Sequence, residues 1–123
     1  MKNKIKILIV ESQDIVVLDL QATLLNAGYD DVASAATGDE AIKKVKELKP
    51  DIIILNYYLF GRITGIVTAK QIKKFYKAPI MIYSNYKEMT KIINELKDCL
   101  NKLDSIESCI TKVKYDENKK LSI

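Results

Sequence analysis

Three short runs constrain this chain more than anything else in it: Ile5-Lys6-Ile7-Leu8-Ile9-Val10, Asp51-Ile52-Ile53-Ile54-Leu55 and Ile80-Met81-Ile82-Tyr83. A strand with one wet face alternates apolar and polar residues. A strand that is apolar at consecutive positions is covered on both faces, as the central strands of a parallel sheet are. Parallel neighbours cannot be joined by a hairpin, so each pair requires a crossover, usually a helix.

The segments between the runs have helical spacing. From Asp14 to Ala27, apolar residues fall at Ile15, Leu18, Ala22 and Leu25, with Val17, Leu20 and Leu24 widening the stripe, and Gly28 supplies a stop. That stripe is expected to face the core. Val32-Ala33-Ser34-Ala35-Ala36 reads as a short strand of small residues. Thr37 and Glu40 form a capping-box pattern ahead of a helix carrying Ala41, Ile42, Val45 and Leu48, ended by Pro50. Residues 56–64 read as loop, with Gly61 as a turn residue. A helix over 66–76 is expected to turn Ile66, Ala69, Ile72 and Phe75 inward, and Ala78-Pro79 breaks it. Asn85 and Glu88 repeat the capping pattern before a long helix with Met89, Ile92, Ile93, Leu96, Leu100 and Leu103 at three-to-four spacing. Cys109–Val113 is the candidate fifth strand, and Asp116-Glu117 opens a short last helix. Strands alternating with helices in this way predict right-handed βαβ units in one α/β domain over residues 1–123. The last helix has room for only about two turns, so the chain reads either as a degenerate stand-alone domain or as a fragment of a longer protein.

Composition then removes whole classes of chemistry. The chain has no His, which excludes Ser-His-Asp triads, Cys-His dyads and His-ligated metals. Two cysteines, Cys99 and Cys109, are too few for a structural zinc site. Cys99 falls among Leu96, Leu100 and Leu103 and reads as a small core residue. Arg62 is the only Arg among 20 basic residues, so base reading by bidentate Arg is not available and nucleic acid is a disfavoured partner. Lys70, Lys73, Lys74 and Lys77 read most simply as a solvated helix face. The apolar run near the start is too short for a signal peptide, and no run approaches the ~20 residues of a membrane span, which makes the cytoplasm the expected location. No Gly-rich loop follows the first strand, which counts against dinucleotide or P-loop binding.

In an open α/β sheet, ligands gather at the carboxyl ends of the strands. Here those ends are Glu11 and Ser12, Asn56, Ser84 and Lys112. Each has an ordinary structural reading as well. Glu11 would be a solvated strand end, Ser12 a cap for the following helix, and Asn56 a turn residue.

Taken in order, Ile7-Leu8-Ile9-Val10-Glu11, Pro50 to Leu55, Leu59-Phe60-Gly61, Gly65-Ile66, Pro79 to Ser84 and Thr111-Lys112 resemble the receiver domain of two-component response regulators, the CheY-like fold. The resemblance implies a flavodoxin-like three-layer sandwich with a five-stranded parallel sheet in the order 2-1-3-4-5. It also implies a site in which an acidic pair after strand one and an Asp after strand three hold Mg²⁺. That Asp accepts a phosphoryl group, and a hydroxyl after strand four and a Lys after strand five contact its oxygens. By position, Glu11 matches the first acid, Ser84 the hydroxyl, Lys112 the lysine and the Tyr58 backbone carbonyl a metal ligand. Ser12 stands where the second acid is expected, and Asn56 where the phosphoacceptor is expected. Cys109 stands near the position of the family's switch aromatic. An amide is a very poor nucleophile, and one carboxylate is a poor Mg²⁺ site. The resulting expectation is a non-enzymatic pseudo-receiver. It would lack Mg²⁺ and any other cofactor, with Glu11 paired to Lys112 and its remaining hydrogen bonds filled by Asn56 and Ser84. It would act by contact with another signalling protein or a fused output or kinase domain, with a dimer also open. Two alternatives remain: a phosphoacceptor regulator whose Asp is replaced by Asn56 in this chain, and a flavodoxin-like binder of a small ligand or nucleic acid.

Overall fold

A computed structural model describes residues 5–84 and the helix over 89–100. The elements alternate: β1 (Ile7–Val10), α1 (Asp14–Asn26), β2 (Val32–Ala35), α2 (Gly38–Leu48), β3 (Ile52–Asn56), α3 (Gly65–Phe75), β4 (Ile80–Tyr83) and α4 (Met89–Leu100). The four strands form one parallel sheet in the order β2-β1-β3-β4, the order expected for the first four. The expected fifth strand at Cys109–Val113, with Lys112, and the helix after it lie outside the described residues.

Register follows from the apolar runs. Ile7 pairs with Val32 on one side and Ile52 on the other, and Ile53 pairs with Ile80. Because side chains alternate across a strand, the runs split between two cores. Ile7, Ile9, Ile52, Ile54, Met81 and Tyr83 face α1, where Val16, Val17, Leu20 and Leu24 meet them. Leu8, Val10, Ile53, Leu55 and Ile80 face α2 and α3, where Ala41, Val45, Ala69 and Ile72 meet them. The interior residues of β1 and β3 are at most 1% exposed, so both faces are dry, as unbroken apolar runs require.

Helix ends follow their local chemistry. The Thr37 hydroxyl accepts from the Glu40 N–H at 3.2 Å, and the Glu40 carboxylate accepts from Ala36 N–H at 2.8 Å, one residue before the cap. Thr64 caps α3 through the Val67 N–H. Helix α1 ends with Gly28 at φ 99°, where the Gly28 and Tyr29 amides donate to Leu25 and Leu24, a Schellman arrangement that suits a residue without a Cβ.

Three expectations about helix faces need correction. In α1, Ile15, Leu18, Ala22 and Leu25 face away from the sheet; of the expected stripe only Val17, Leu20 and Leu24 are buried, joined by Val16. The helix is apolar nearly all round, so spacing alone could not set its phase. Phe75, expected inward, is half exposed, with the Lys46 ammonium 5.1 Å from its ring centroid. Ser12 does not cap α1; Gln13 holds the cap position, and its side chain makes no capping bond. Helix α4 contributes Ile93 to the α1-side core rather than to the α2/α3 side.

Candidate functional site

Parity along the strands assembles the site. Counting in twos from Ile7 and Ile9 gives Glu11, from Ile52 and Ile54 gives Asn56, and from Met81 gives Tyr83. These three side chains point to the α1 side of the sheet, at the carboxyl ends of three adjacent strands. Asn56 and Tyr83 are register partners, and Val10 beside Leu55 brings Glu11 level with Asn56.

The row is held together by one carboxylate. Glu11 is only 2% exposed. Its Oε1 accepts from the Asn56 Nδ2 at 2.8 Å and from the Tyr83 hydroxyl, and its Oε2 accepts from the Gln13 N–H at 2.9 Å. A buried carboxylate without partners is costly. Here three neutral donors surround it, so both oxygens are engaged. The Tyr83 bond crosses the width of β3. Two strand steps are about 9.5 Å, and a long side chain is needed to span them.

Asn56 uses its other end as well. Its Oδ1 accepts from the Tyr58 N–H at 2.9 Å, which turns the chain out of β3. The turn-residue role and the site role are therefore both filled by one side chain. The rings of Tyr57 and Tyr58 meet edge to face at 4.8 Å just beyond it. Helix α3 begins close behind: a Cβ on Gly65 would lie 2.2 Å from the Asn56 carbonyl oxygen and 2.5 Å from that of Tyr57. Only glycine lets α3 start here.

Ser12 joins two loops at the rim. Its hydroxyl donates to the Ala36 carbonyl at 2.6 Å and accepts from the Phe60 N–H at 2.9 Å. Nearby, Arg62 grips Asp39 with two bonds, at 3.0 and 2.6 Å, on the open surface. The Arg62 guanidinium holds the Asp39 carboxyl below its usual range, by hydrogen bonding first and charge second. Glu40 is lowered too, chiefly by the Ala36 N–H and then by Lys44.

Of the residues picked out by sequence, Glu11, Ser12, Asn56 and Ser84 lie at neighbouring strand ends. Ser84 follows Tyr83 directly but has the opposite parity. The expected Glu11–Lys112 pair cannot be placed, because Lys112 and Cys109 fall outside the described residues. Tyr83 and the Gln13 amide are the contributors that sequence reasoning missed. The parity count would have found Tyr83. Among the described residues no group of three Asp, Glu or Cys side chains is gathered in metal-ligating fashion, and no helix is long and apolar enough to cross a membrane.

Comparison with known proteins agrees with this layout. The response regulator receiver domain profile matches residues 7–113. The chain is 36% identical over 90 residues to the alkaline phosphatase synthesis transcriptional regulatory protein PhoP of Bacillus subtilis, covering 72% of this chain and 37% of PhoP. It is 31% identical over 93 residues to the chemotaxis protein CheY of Thermotoga maritima, covering 75% of this chain and 77% of CheY. Among solved structures it is similar to the N-terminal domain of a response regulator/sensory box/GGDEF three-domain protein from Carboxydothermus hydrogenoformans, at 32% identity and a TM-score of 0.59, covering 63% of this chain and 62% of that one. It is also similar to the signal receiver domain of a modulated diguanylate cyclase from Desulfovibrio desulfuricans G20, described as an example of alternate folding. That match has 27% identity and a TM-score of 0.63, and covers 89% and 95% of the two chains. The aligned segments span from about a quarter to two fifths of the length of several curated regulators, so what those whole proteins do is not carried over with the match. With the receiver profile spanning most of the chain, and with parallel strands that bring Glu11 and Asn56 together at their carboxyl ends, this chain belongs to the response regulator receiver domain family.

Proposed function

We propose that this domain is a pseudo-receiver: a signalling module that works through protein contacts, without phosphorylation of an aspartate and without Mg²⁺. One observation carries the reading. The carboxylate at the heart of the pocket already accepts three hydrogen bonds from neutral donors, and the position facing it is an amide.

The donor set does not suit Mg²⁺. The ion favours hard, charged oxygens in octahedral geometry and sheds its waters reluctantly. Glu11 is the one carboxylate among the site residues described, its Oε1 already accepts two bonds, and Ser12 adds no charge. Asn56 cannot attack a phosphoryl group by way of a carboxylate oxygen, because it has none. With no ligand of differential affinity in the pocket, phosphorylation has no lever on the resting conformation. A constant surface, read by another signalling protein or by a fused output or kinase domain, is the mode of action that remains.

The test is incubation with acetyl phosphate and Mg²⁺ followed by intact mass measurement. The expected result is no added phosphoryl group on this chain, little on Asn56→Asp, and more on the pair Ser12→Asp with Asn56→Asp. A phosphoryl group on the unaltered chain that maps to the Asn56 loop would overturn the reading. The alternative in which only the acceptor has been lost predicts full labelling of Asn56→Asp alone.

A further inference from the structure

Charge is divided between the two sides of the sheet. Residues 11–31, which run through α1, contain Glu11, Asp14, Asp19, Asp30 and Asp31 and no Lys or Arg. Residues 62–77, which run through α3, contain Arg62, Lys70, Lys73, Lys74 and Lys77 and no Asp or Glu. These helices belong to opposite cores, so their outer faces look away from each other.

The outer face of α1 is also apolar, and that of α3 carries two separate apolar residues. On α1, Ile15, Leu18 and Leu25 are 75%, 64% and 59% exposed, and exposed Ala22 continues the stripe at helical spacing. Exposed Asp14 lies at one end of the stripe, and exposed Asp30 and Asp31 follow the other. On α3, Val67 and Phe75 are 37% and 43% exposed, among exposed Lys70, Lys73, Lys74 and Lys77. Scattered exposed apolar residues are ordinary, whereas a contiguous stripe with a charged border is the pattern of an interaction surface.

We propose that this chain associates head to tail with further copies of itself, the outer face of α1 in one copy seating on the outer face of α3 in the next. Charge complementarity selects the occupant. An α1–α1 contact would set Asp against Asp, and an α3–α3 contact would set Lys against Lys. The α1–α3 contact sets opposite charges together and lays the α1 stripe against Val67, Phe75 and the aliphatic stems of the lysines. Because the two faces lie on opposite sides of the sheet, the contact is heterologous and does not close on itself at a dimer.

The experiment is sedimentation equilibrium on the full chain across a concentration series, at about 20 mM and about 500 mM salt, where screening shortens from roughly 20 Å to under 5 Å. At low salt the mean mass is expected to rise from 14.0 kDa past the dimer value without a plateau, and at high salt the association should weaken at least tenfold. One variant, Asp14→Lys with Asp30→Lys and Asp31→Lys, leaves only Glu11 and Asp19 negative in the α1 segment and so makes both faces basic. A second, Lys70→Glu with Lys73→Glu and Lys74→Glu, leaves only Arg62 and Lys77 positive in the α3 segment and so makes both acidic. Each alone should be monomeric, and an equimolar mixture should associate again, because every contact is then complementary. Leu18→Gln should weaken association about fivefold without altering charge. Circular dichroism shows that each variant is folded.

A chain that stays monomeric at all concentrations would overturn the proposal, as would a plateau at the dimer. So would a mixture that fails to restore association, the result expected if the α1 stripe is covered by this chain's own remaining residues or kept for a different protein.

Discussion

Glu11 and Asp39 are both carboxylates gripped by more than one donor, and they teach opposite lessons. Glu11 is buried at the junction of three strands and is held by neutral groups: an amide side chain, a phenol and a backbone N–H. Asp39 sits on the open rim and is held by a full positive charge in bidentate geometry. A charge pair looks stronger, but in water it gains little over solvation and is screened by salt. The neutral donors around Glu11 act where water is excluded, so losing one leaves a buried polar atom unsatisfied. Position, more than the formal strength of the bond, determines how much each contributes.

The comparison can be broken most forcefully at Gly65. Adding a methyl group there drives it into two backbone carbonyls that cannot step aside. Gly65→Ala is expected to destabilise the domain by about 3 kcal/mol or more, through displacement of α3 from the end of β3. Chemical denaturation measures it, and a loss under 1 kcal/mol would show that the helix start is soft.

Next comes Tyr83→Phe, which keeps the ring and removes the hydroxyl that reaches Glu11. The expected cost is about 1–3 kcal/mol. Adding Glu11→Gln to that background should give a non-additive result, since the two residues share one bond. Strict additivity of the two changes would mean that they act independently.

Ser12→Ala removes both bonds that tie β2 to the loop before α3. About 1 kcal/mol is expected. Faster hydrogen exchange at the Phe60 amide is the sharper readout, because that N–H loses the Ser12 hydroxyl as its acceptor while the strands keep theirs.

The smallest effect belongs to the rim. Arg62→Ala should lower the melting temperature less than Ser12→Ala, and about 0.5 M salt should shrink the difference further. Its pH dependence has a definite sign. Arg62 lowers the carboxyl of Asp39, and the Ala36 N–H with Lys44 lowers that of Glu40. A carboxyl lowered by folding stabilises at pH above its unfolded value, near about 4, and that contribution is lost as pH falls through the folded value. The gap between Arg62→Ala and the unaltered chain should therefore be open at pH 6–7 and close in the acid range. A gap that widens on acidification would contradict this assignment.

Much of the fold was legible in the residues. Unbroken apolar runs required strands covered on both sides, and Thr37 and Gly28 marked helix ends by chemistry that acts over three or four residues. The same short range explains the failures. Ile15, Leu18 and Leu25 make as good an apolar stripe as Val16, Leu20 and Leu24, and only packing on the sheet chose between them. Phe75 had the spacing of a core residue, and the structure leaves it half exposed under the Lys46 ammonium. Ser12 had a local use as a cap, and two distant loops claimed it instead.

What the sequence by itself determined is chemical. An amide at Asn56 and a hydroxyl at Ser12 set the pocket's nucleophile and charge whatever the chain's shape, because those follow from the atoms present. What only the tertiary structure decided is who meets Glu11. Its partners lie 45 and 72 residues away in sequence, and they meet it because strand register places Glu11, Asn56 and Tyr83 in one row while β alternation turns all three to the same side of the sheet.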